Sequence, residues 1–294
     1  ARHRAPVTEP HDTQPVSAGF IWHSAADVLP LRKTPSGMKH PLRTLLLAVC
    51  CGLAAACTQR QERLKLMSYN IRNGIGIDNI QDIGRIARVI LREAPDLVAL
   101  QELDSATLRV DGRYIPGELG RMTGMHATFG RAIGFAGGSY GIGLLSRTEP
   151  LAVRSIPLPG REEARVLLMA EFPDYTVCIT HLSLTPEDRL ASLPIIREAT
   201  DTCRKPVLLA GDFNTGNAAA VLAGLGGGFR ILSDTTRMTF PSDNPAVRID
   251  YILGRGLPTS ATVAESAVDH TATASDHCPL WVTLVWKRGK QPGK

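Results

Sequence analysis

The sequence predicts an α+β protein: a four-layer α/β/β/α sandwich in which two mostly antiparallel sheets pack face to face with helices outside. Three observations predict it. From Leu64 onward, short apolar runs suited to strands alternate with segments of helical periodicity, separated by polar connections. Several strand candidates are joined by links too short for a crossover helix, which rules out a purely parallel sheet. A composition of 44% hydrophobic but only 5% aromatic residues favours a core of Leu, Ile, Val and Ala, which such layers bury between them. A chain of 294 residues can hold one large α/β domain or two small ones, and the unbroken succession of elements chooses the first.

The elements follow in chain order. Residues 1–37 are rich in Pro, His, Thr and Ser without a period of helix or strand, and are expected to be disordered and to lie upstream of the true start. Met38–Arg43 is basic, Thr44–Leu53 is apolar, and small residues lead to Cys57. This is the layout of a lipoprotein-type signal over residues 38–57, with Cys57 as the lipid-bearing residue. Its apolar run is shorter than the roughly 20 residues that a spanning helix needs. The expectation is an exported protein, periplasmic or at the cell surface, held to the bacterial membrane by lipid. Ala54 stands where such signals usually carry a large aliphatic residue, so cleavage without lipid is the alternative.

Residues 58–63 read as a linker, 64–286 as the domain and 287–294 as a basic tail. Leu64–Asn70, apolar at alternate positions, suits a strand. Ile83, Ile86, Ala87, Ile90 and Leu91 recur at helical spacing, and Pro95 ends that helix before a strand at Asp96–Leu100. Further strands are expected at His126–Arg131, Ile142–Ser146, Ala152–Ile156, Val166–Phe172, Thr176–Leu182, Val207–Asp212, Ile249–Leu253, Thr259–Ala264 and Leu280–Trp286. Helices fit Pro186–Cys203 and Ala218–Leu225.

Charge and cysteine use exclude some classes. The net charge is +5, yet between Thr58 and Trp286 there are 23 basic and 25 acidic residues, so the domain itself is close to neutral. A protein that grips long nucleic acid by its backbone usually carries a basic stripe. Cys178, Cys203 and Cys278 have no zinc spacing and read as buried thiols, a Cys178–Cys203 disulfide being the alternative in an oxidising compartment.

Polar residues close strand after strand: Asn70, Glu102, His181, and Asp212 with Asn214. Strands ending on one edge of a sandwich gather such groups into one cleft. The segments Met67–Arg72, Ala99–Glu102, Thr180–Leu182, Ala210–Asn214, Arg248–Ile252 and Ser275–His277 resemble, in that order, the motifs of the endonuclease/exonuclease/phosphatase superfamily. That superfamily includes pancreatic-type deoxyribonucleases, abasic-site endonucleases, inositol polyphosphate phosphatases and neutral sphingomyelinases. The resemblance spans Leu64 to Trp286 and implies a deoxyribonuclease-like fold.

It also implies roles. Glu102, with Asn70 and Asp276, would hold Mg²⁺ or Mn²⁺, ions that prefer oxygen ligands. His277 would be held by Asp250, whose carboxylate fixes the ring's tautomer. Asp212 would orient or deprotonate water, while Asn214 and His181 would donate hydrogen bonds to phosphate oxygens. Arg165, in Glu162-Glu163-Ala164-Arg165, resembles an arginine of small bacterial members and is either a phosphate contact or a solvated charge. The Thr239–Pro245 loop should flank the cleft, and His270 reads as a surface residue.

Two departures stand out. Gly141-Ile142-Gly143 lacks an asparagine that many relatives carry there, and the carboxylate partner of His181 is not identifiable, Glu118 and Glu163 being weak candidates. The function implied is metal-dependent hydrolysis of phosphoesters by in-line attack of water, in a monomer of phosphodiesterase or nuclease-like type. The alternatives are a phosphatase or phosphodiesterase of small molecules or lipid head groups, and a catalytically dead lipoprotein that binds a ligand. The last is disfavoured because every matched position carries a competent residue.

Overall fold

The computed structural model describes residues 61–287. The expected disordered stretch 1–37, the leader with Cys57, the first linker residues and the tail beyond Lys287 lie outside the described residues.

Twelve strands form two sheets of six, ordered β11-β12-β1-β2-β4-β3 and β5-β6-β7-β8-β10-β9. The first contains β1 (Gln61–Asn70), β2 (Leu97–Ser105), β3 (His126–Phe135), β4 (Gly138–Ser146), β11 (Thr262–Val268) and β12 (Leu280–Lys287). The second contains β5 (Ala152–Leu158), β6 (Arg165–Glu171), β7 (Thr176–His181), β8 (Val207–Asp212), β9 (Arg230–Ile231) and β10 (Asp250–Arg255). Each sheet has one parallel pair, β1 with β2 and β7 with β8, and every other pairing is antiparallel. The parallel pairs are the ones joined by long helices, α1 (Ile83–Glu93) and α3 (Pro186–Asp201), as a parallel crossover requires.

The four layers follow from strand alternation. In β1, Leu64 and Leu66 enter a core shared by the two sheets, while Met67 and Tyr69 face α1 and α2 (Ile115–Thr123) in a second core. In β8, Leu208 and Ala210 face the first sheet, and Val207 and Leu209 pack against α3 and α4 (Ala218–Leu225) in a third. Helix α1 buries Ile83, Ile86, Ala87 and Ile90 and ends where Ala94 turns left-handed before Pro95.

The boundaries differ from the sequence expectation in several places: β2 runs on to Ser105 and β3 to Phe135, and the short β9 was not expected. β1 begins at Gln61 within the expected linker, β4 begins at Gly138 and β11 is shifted toward its C-terminus. Helix α2 was not anticipated: Gly117 and Gly120 depress its propensity, and only Ile115 and Leu119 mark its buried face among large apolar residues, although Pro116 is well suited to its first turn. Cys178 and Cys278 are buried free thiols as expected, Cys203 is a free thiol but only half-buried, and the disulfide alternative does not form. Among the described residues, no helix is long and apolar enough to cross a membrane.

Candidate active site

The alternation that builds the inter-sheet core also aims the polar residues. Leu64 and Leu66 of β1, Val177 and Ile179 of β7, Leu208 and Ala210 of β8, and Ile252 of β10 fill that core. Continuing each series by steps of two to the same edge of the sandwich gives Asn70, His181, Asp212 and Asp250. Register then places Asp212 opposite Asp250 on one side and His181 on the other. Gly211 permits this approach, because a Cβ there would lie 2.0 Å from the Thr180 carbonyl oxygen.

Glu102 reaches the same cleft by another route. Strand alternation would turn it outward with Val98 and Leu100, but the β2–β4 register shifts between Leu100 and Leu103 and Glu102 has φ 57°. This bulge re-aims its carboxylate, which accepts a hydrogen bond from Asn70 Nδ2 at 3.0 Å. Asn214, with φ 50°, is a second site residue held in the left-handed region.

Asn70 is the hub. Its Nδ2 also donates to Asp212 Oδ2 at 3.2 Å and lies 3.5 Å from His277 Nε2. His277 Nδ1 is 3.0 Å from Asp250 Oδ2, and its Nε2 is 3.7 Å from Asp212 Oδ2. His181 Nε2 approaches the same Asp212 oxygen at 3.5 Å, while its Nδ1 faces Arg165 Nη1 at 3.2 Å. Asp212 Oδ1 accepts the Asn214 backbone N–H at 2.8 Å, and the Asn214 side chain donates to the Leu182 carbonyl at 2.8 Å, tying the ends of β7 and β8 together.

The two histidines occupy opposite electrostatic environments. Burial alone would depress His277, but the Asp250 carboxylate on its ring, with Asp212 and Asp276, overcomes it and lifts the pKa to about 10. His181 is held well below the usual histidine value by burial, then by the charges of Arg165 and His277. Asp212 is raised to about 7 by burial and by the neighbouring Asp250 charge.

The Thr239–Pro245 loop flanks the cleft as expected and also holds it. The Phe240 ring packs on His277 with centroids 4.8 Å apart, Thr239 Oγ1 accepts the Asp250 N–H, and Ser242 N donates to the Asp276 carbonyl at 2.7 Å. Ser275 Oγ donates to the Asn70 carbonyl at 2.7 Å, joining β1 to the His277 loop. Sequence reasoning assigned no role to Phe240 or Ser275, although both lie in segments it singled out.

The remaining candidates are distributed as follows. Asp276 sits at the rim with its carboxylate 3.5 Å from Arg72. Arg165 is 6% exposed, so the reading as a solvated charge fails. His270 is exposed, its Nε2 against the Met238 carbonyl, in keeping with a surface role. Glu118 is paired with Arg113 and belongs to α2, so it is not the partner of His181. Glu163 reaches His181 only through Arg165. Ile142, standing in place of the absent asparagine, is 2% exposed in the inter-sheet core.

The donor set fits a divalent cation. Ligand-type atoms of Asp212, Asp250 and His277 lie within 4.8 Å of one another and Asp250 Oδ1 is buried without a hydrogen-bond partner, which concentrates negative charge at the cleft. With Asp250 engaged by His277, the carboxylates of Glu102 and Asp276 are the ones left to an ion. Glu102 adds a further carboxylate through the Asn70 bridge. Buried carboxylates gathered this closely need cationic compensation, and hard oxygen donors suit Mg²⁺ or Mn²⁺.

Comparison with known proteins gives the family and the fold. The model of the Endonuclease/Exonuclease/phosphatase family matches residues 67–277. Among solved structures, an endonuclease/exonuclease/phosphatase from Beutenbergia cavernae is 23% identical, with TM-score 0.62 over 76% of this chain and 72% of that one. One from Bacteroides vulgatus is 20% identical, with TM-score 0.63 over 77% of this chain and 100% of that one. A mannosyl-6-phosphatase from Bacteroides thetaiotaomicron is 19% identical, with TM-score 0.61 over 76% and 100%. At these identities the likeness is one of fold. Comparison with curated proteins gives no match.

Proposed function

The chain belongs to the endonuclease/exonuclease/phosphatase family, whose members hydrolyse phosphoesters and generally depend on a divalent metal, and we propose that it is a Mg²⁺- or Mn²⁺-dependent phosphodiesterase of nuclease-like type. The observation that carries the proposal is the convergence of Asn70, Glu102, Asp212, Asp250, His181 and His277 on one cleft within hydrogen-bond reach of their neighbours.

When bound, the ion would be held by Glu102 and Asn70, with Asp276 at the rim, and would polarise the scissile phosphate and stabilise the leaving oxygen. Asp212 accepts a proton from the attacking water as the new P–O bond forms, its basicity raised by burial. His277, whose charged form three carboxylates favour, donates to the oxygen on which charge develops as the ester P–O bond breaks. Asp250 keeps the His277 ring in place, and His181 and Asn214 offer N–H groups to the non-bridging oxygens.

Hydrolysis of bis-(p-nitrophenyl) phosphate and p-nitrophenyl phosphate with and without Mg²⁺ tests the reading. The diester should turn over only with metal, and His277→Ala should lose about 10²- to 10⁴-fold in kcat. No turnover of either substrate, together with no effect of the substitution, would refute it. A second reading, action on small molecules or lipid head groups, is favoured by the near-neutral charge of the domain. Plasmid cleavage that is strong and falls steeply with salt supports the nuclease; weak cleavage beside fast hydrolysis of the small diester supports the second reading.

A further inference from the structure

His181 has no carboxylate on its outer nitrogen. Among the described residues, the partner at Nδ1 is the Arg165 guanidinium, with Nη1 at 3.2 Å, and both side chains are nearly buried. An arginine can only donate hydrogen bonds and stays charged. The ring nitrogen it faces must therefore be an acceptor, so in neutral His181 the proton sits on the other nitrogen. That other nitrogen, Nε2, is the one directed at Asp212 Oδ2. A carboxylate at Nδ1 would do the reverse: it would accept a hydrogen bond from Nδ1–H, keep the proton there and leave Nε2 free to accept one.

The arginine is itself held in place. Its Nη1 also donates to Glu163 Oε1 at 2.9 Å, and its Nη2 lies 3.4 Å from Glu162 Oε1. Glu162 meanwhile accepts from the Ser183 hydroxyl at 2.7 Å and from the Leu184 N–H at 2.7 Å, gripping the chain just beyond His181. One short segment, Glu162–Arg165, thus fixes both the ring of His181 and the backbone that follows it.

We propose that Arg165, braced by Glu163, is a positioning residue that locks His181 as the Nε2–H tautomer, making His181 a fixed N–H donor on the Asp212 side of the cleft, available to a phosphate oxygen, and not an acid or base. The assignment deepens the hydrolase reading and rests on it for its catalytic consequence. It divides the labour between the histidines: protons move at Asp212 and His277, and His181 only donates.

The test begins on the unaltered full chain. With histidine labelled with ¹⁵N and His181 assigned by its loss in His181→Gln, Nδ1 should give the downfield signal of an unprotonated ring nitrogen and Nε2 that of an N–H. A protonated Nδ1 overturns the proposal, and this measurement is read on the parent protein without turnover, so it stands if the hydrolase reading fails. In Arg165→Met the two tautomers should mix and kcat should fall about 10- to 100-fold, the range for loss of a group that orients another. KM should change little. Arg165→Lys, which can also only donate, should restore the tautomer and most of kcat. An unchanged tautomer in Arg165→Met with a raised KM would show instead that Arg165 grips the substrate directly, and would overturn the positioning role.

Discussion

At the scale of single residues, the candidate site is costly to assemble, and the cost is concentrated at Glu102. Its left-handed backbone conformation is of the kind that costs about 1–3 kcal/mol outside glycine, and its carboxylate shares Asn70 with the buried Asp212. On the proposed reading, a charge placed at such expense beside other carboxylates serves a cation. Glu102→Gln should therefore abolish Mg²⁺-dependent turnover while melting, without metal, at the same temperature as the parent or higher. Metal binding to the folded state alone stabilises by about 2.7 kcal/mol at a hundredfold excess over Kd. Mg²⁺ should thus raise the Tm of the parent and leave that of Glu102→Gln nearly unmoved; equal shifts in both would remove Glu102 from the metal site. The identity of this residue was legible from its motif, and so were Asn70, Asp212, Asp250 and His277. What sequence could not reveal is the bulge that turns Glu102 inward, since alternation along Leu97–Leu100 points it the other way. Nor could it reveal the partner of His181, because that partner is a cation on a different strand where a carboxylate was sought.

At the scale of elements, strand alternation explains why so much of the site was readable. Asn70, His181, Asp212 and Asp250 extend apolar series of period two, and such series survive in sequence whatever the loops do. Loops carry no such period, and their contributions were legible only where a motif marked them, as in Thr239–Pro245. The segment Arg161–Arg165 was marked only for Arg165, yet it docks the first turn of α3: Arg161 forks onto Asp188, and Glu162 collects the hydroxyls of Ser183 and Thr185 with the Leu184 N–H. Partial burial would raise the Glu162 carboxyl, but these donors outweigh it and hold the pKa at about 2. A carboxyl depressed in the folded state contributes stability in full above its unfolded value of about 4.5 and loses it as pH falls toward the folded value. The difference in urea midpoint between the parent and Glu162→Gln should accordingly be larger at pH 7 than at pH 3. A difference that does not shrink at pH 3 would mean that the ionised form of Glu162 is not what anchors the loop.

At the scale of the whole molecule, the candidate cleft is the open rim of the interface between the sheets. Asn70 and Glu102 come from the first sheet, His181, Asp212 and Asp250 from the second, and His277 from the loop that leads into β12. Directly beneath them, Leu66, Ala99, Ile179, Leu208, Ala210 and Ile252 form the shared core, and each sheet's inner face is covered only by the other. Neither sheet can keep its inner apolar face dry alone, so the two should unfold together and the site should vanish with them. Leu66 is fully buried in β1, four residues before Asn70, and touches no site residue through a polar atom. Leu66→Ala should cost about 2–5 kcal/mol, the range for a truncated core leucine, whereas Leu108→Ala, at 77% exposed, should stay within about 0.5 kcal/mol. The denaturant midpoints for circular dichroism and for diester hydrolysis should fall together in Leu66→Ala, with kcat in buffer close to that of the parent. If activity instead disappears at a lower denaturant concentration than secondary structure, the rim opens before the sheets part. The cleft would then owe its geometry to the Thr239–Pro245 and Ser275–His277 loops more than to the inter-sheet core.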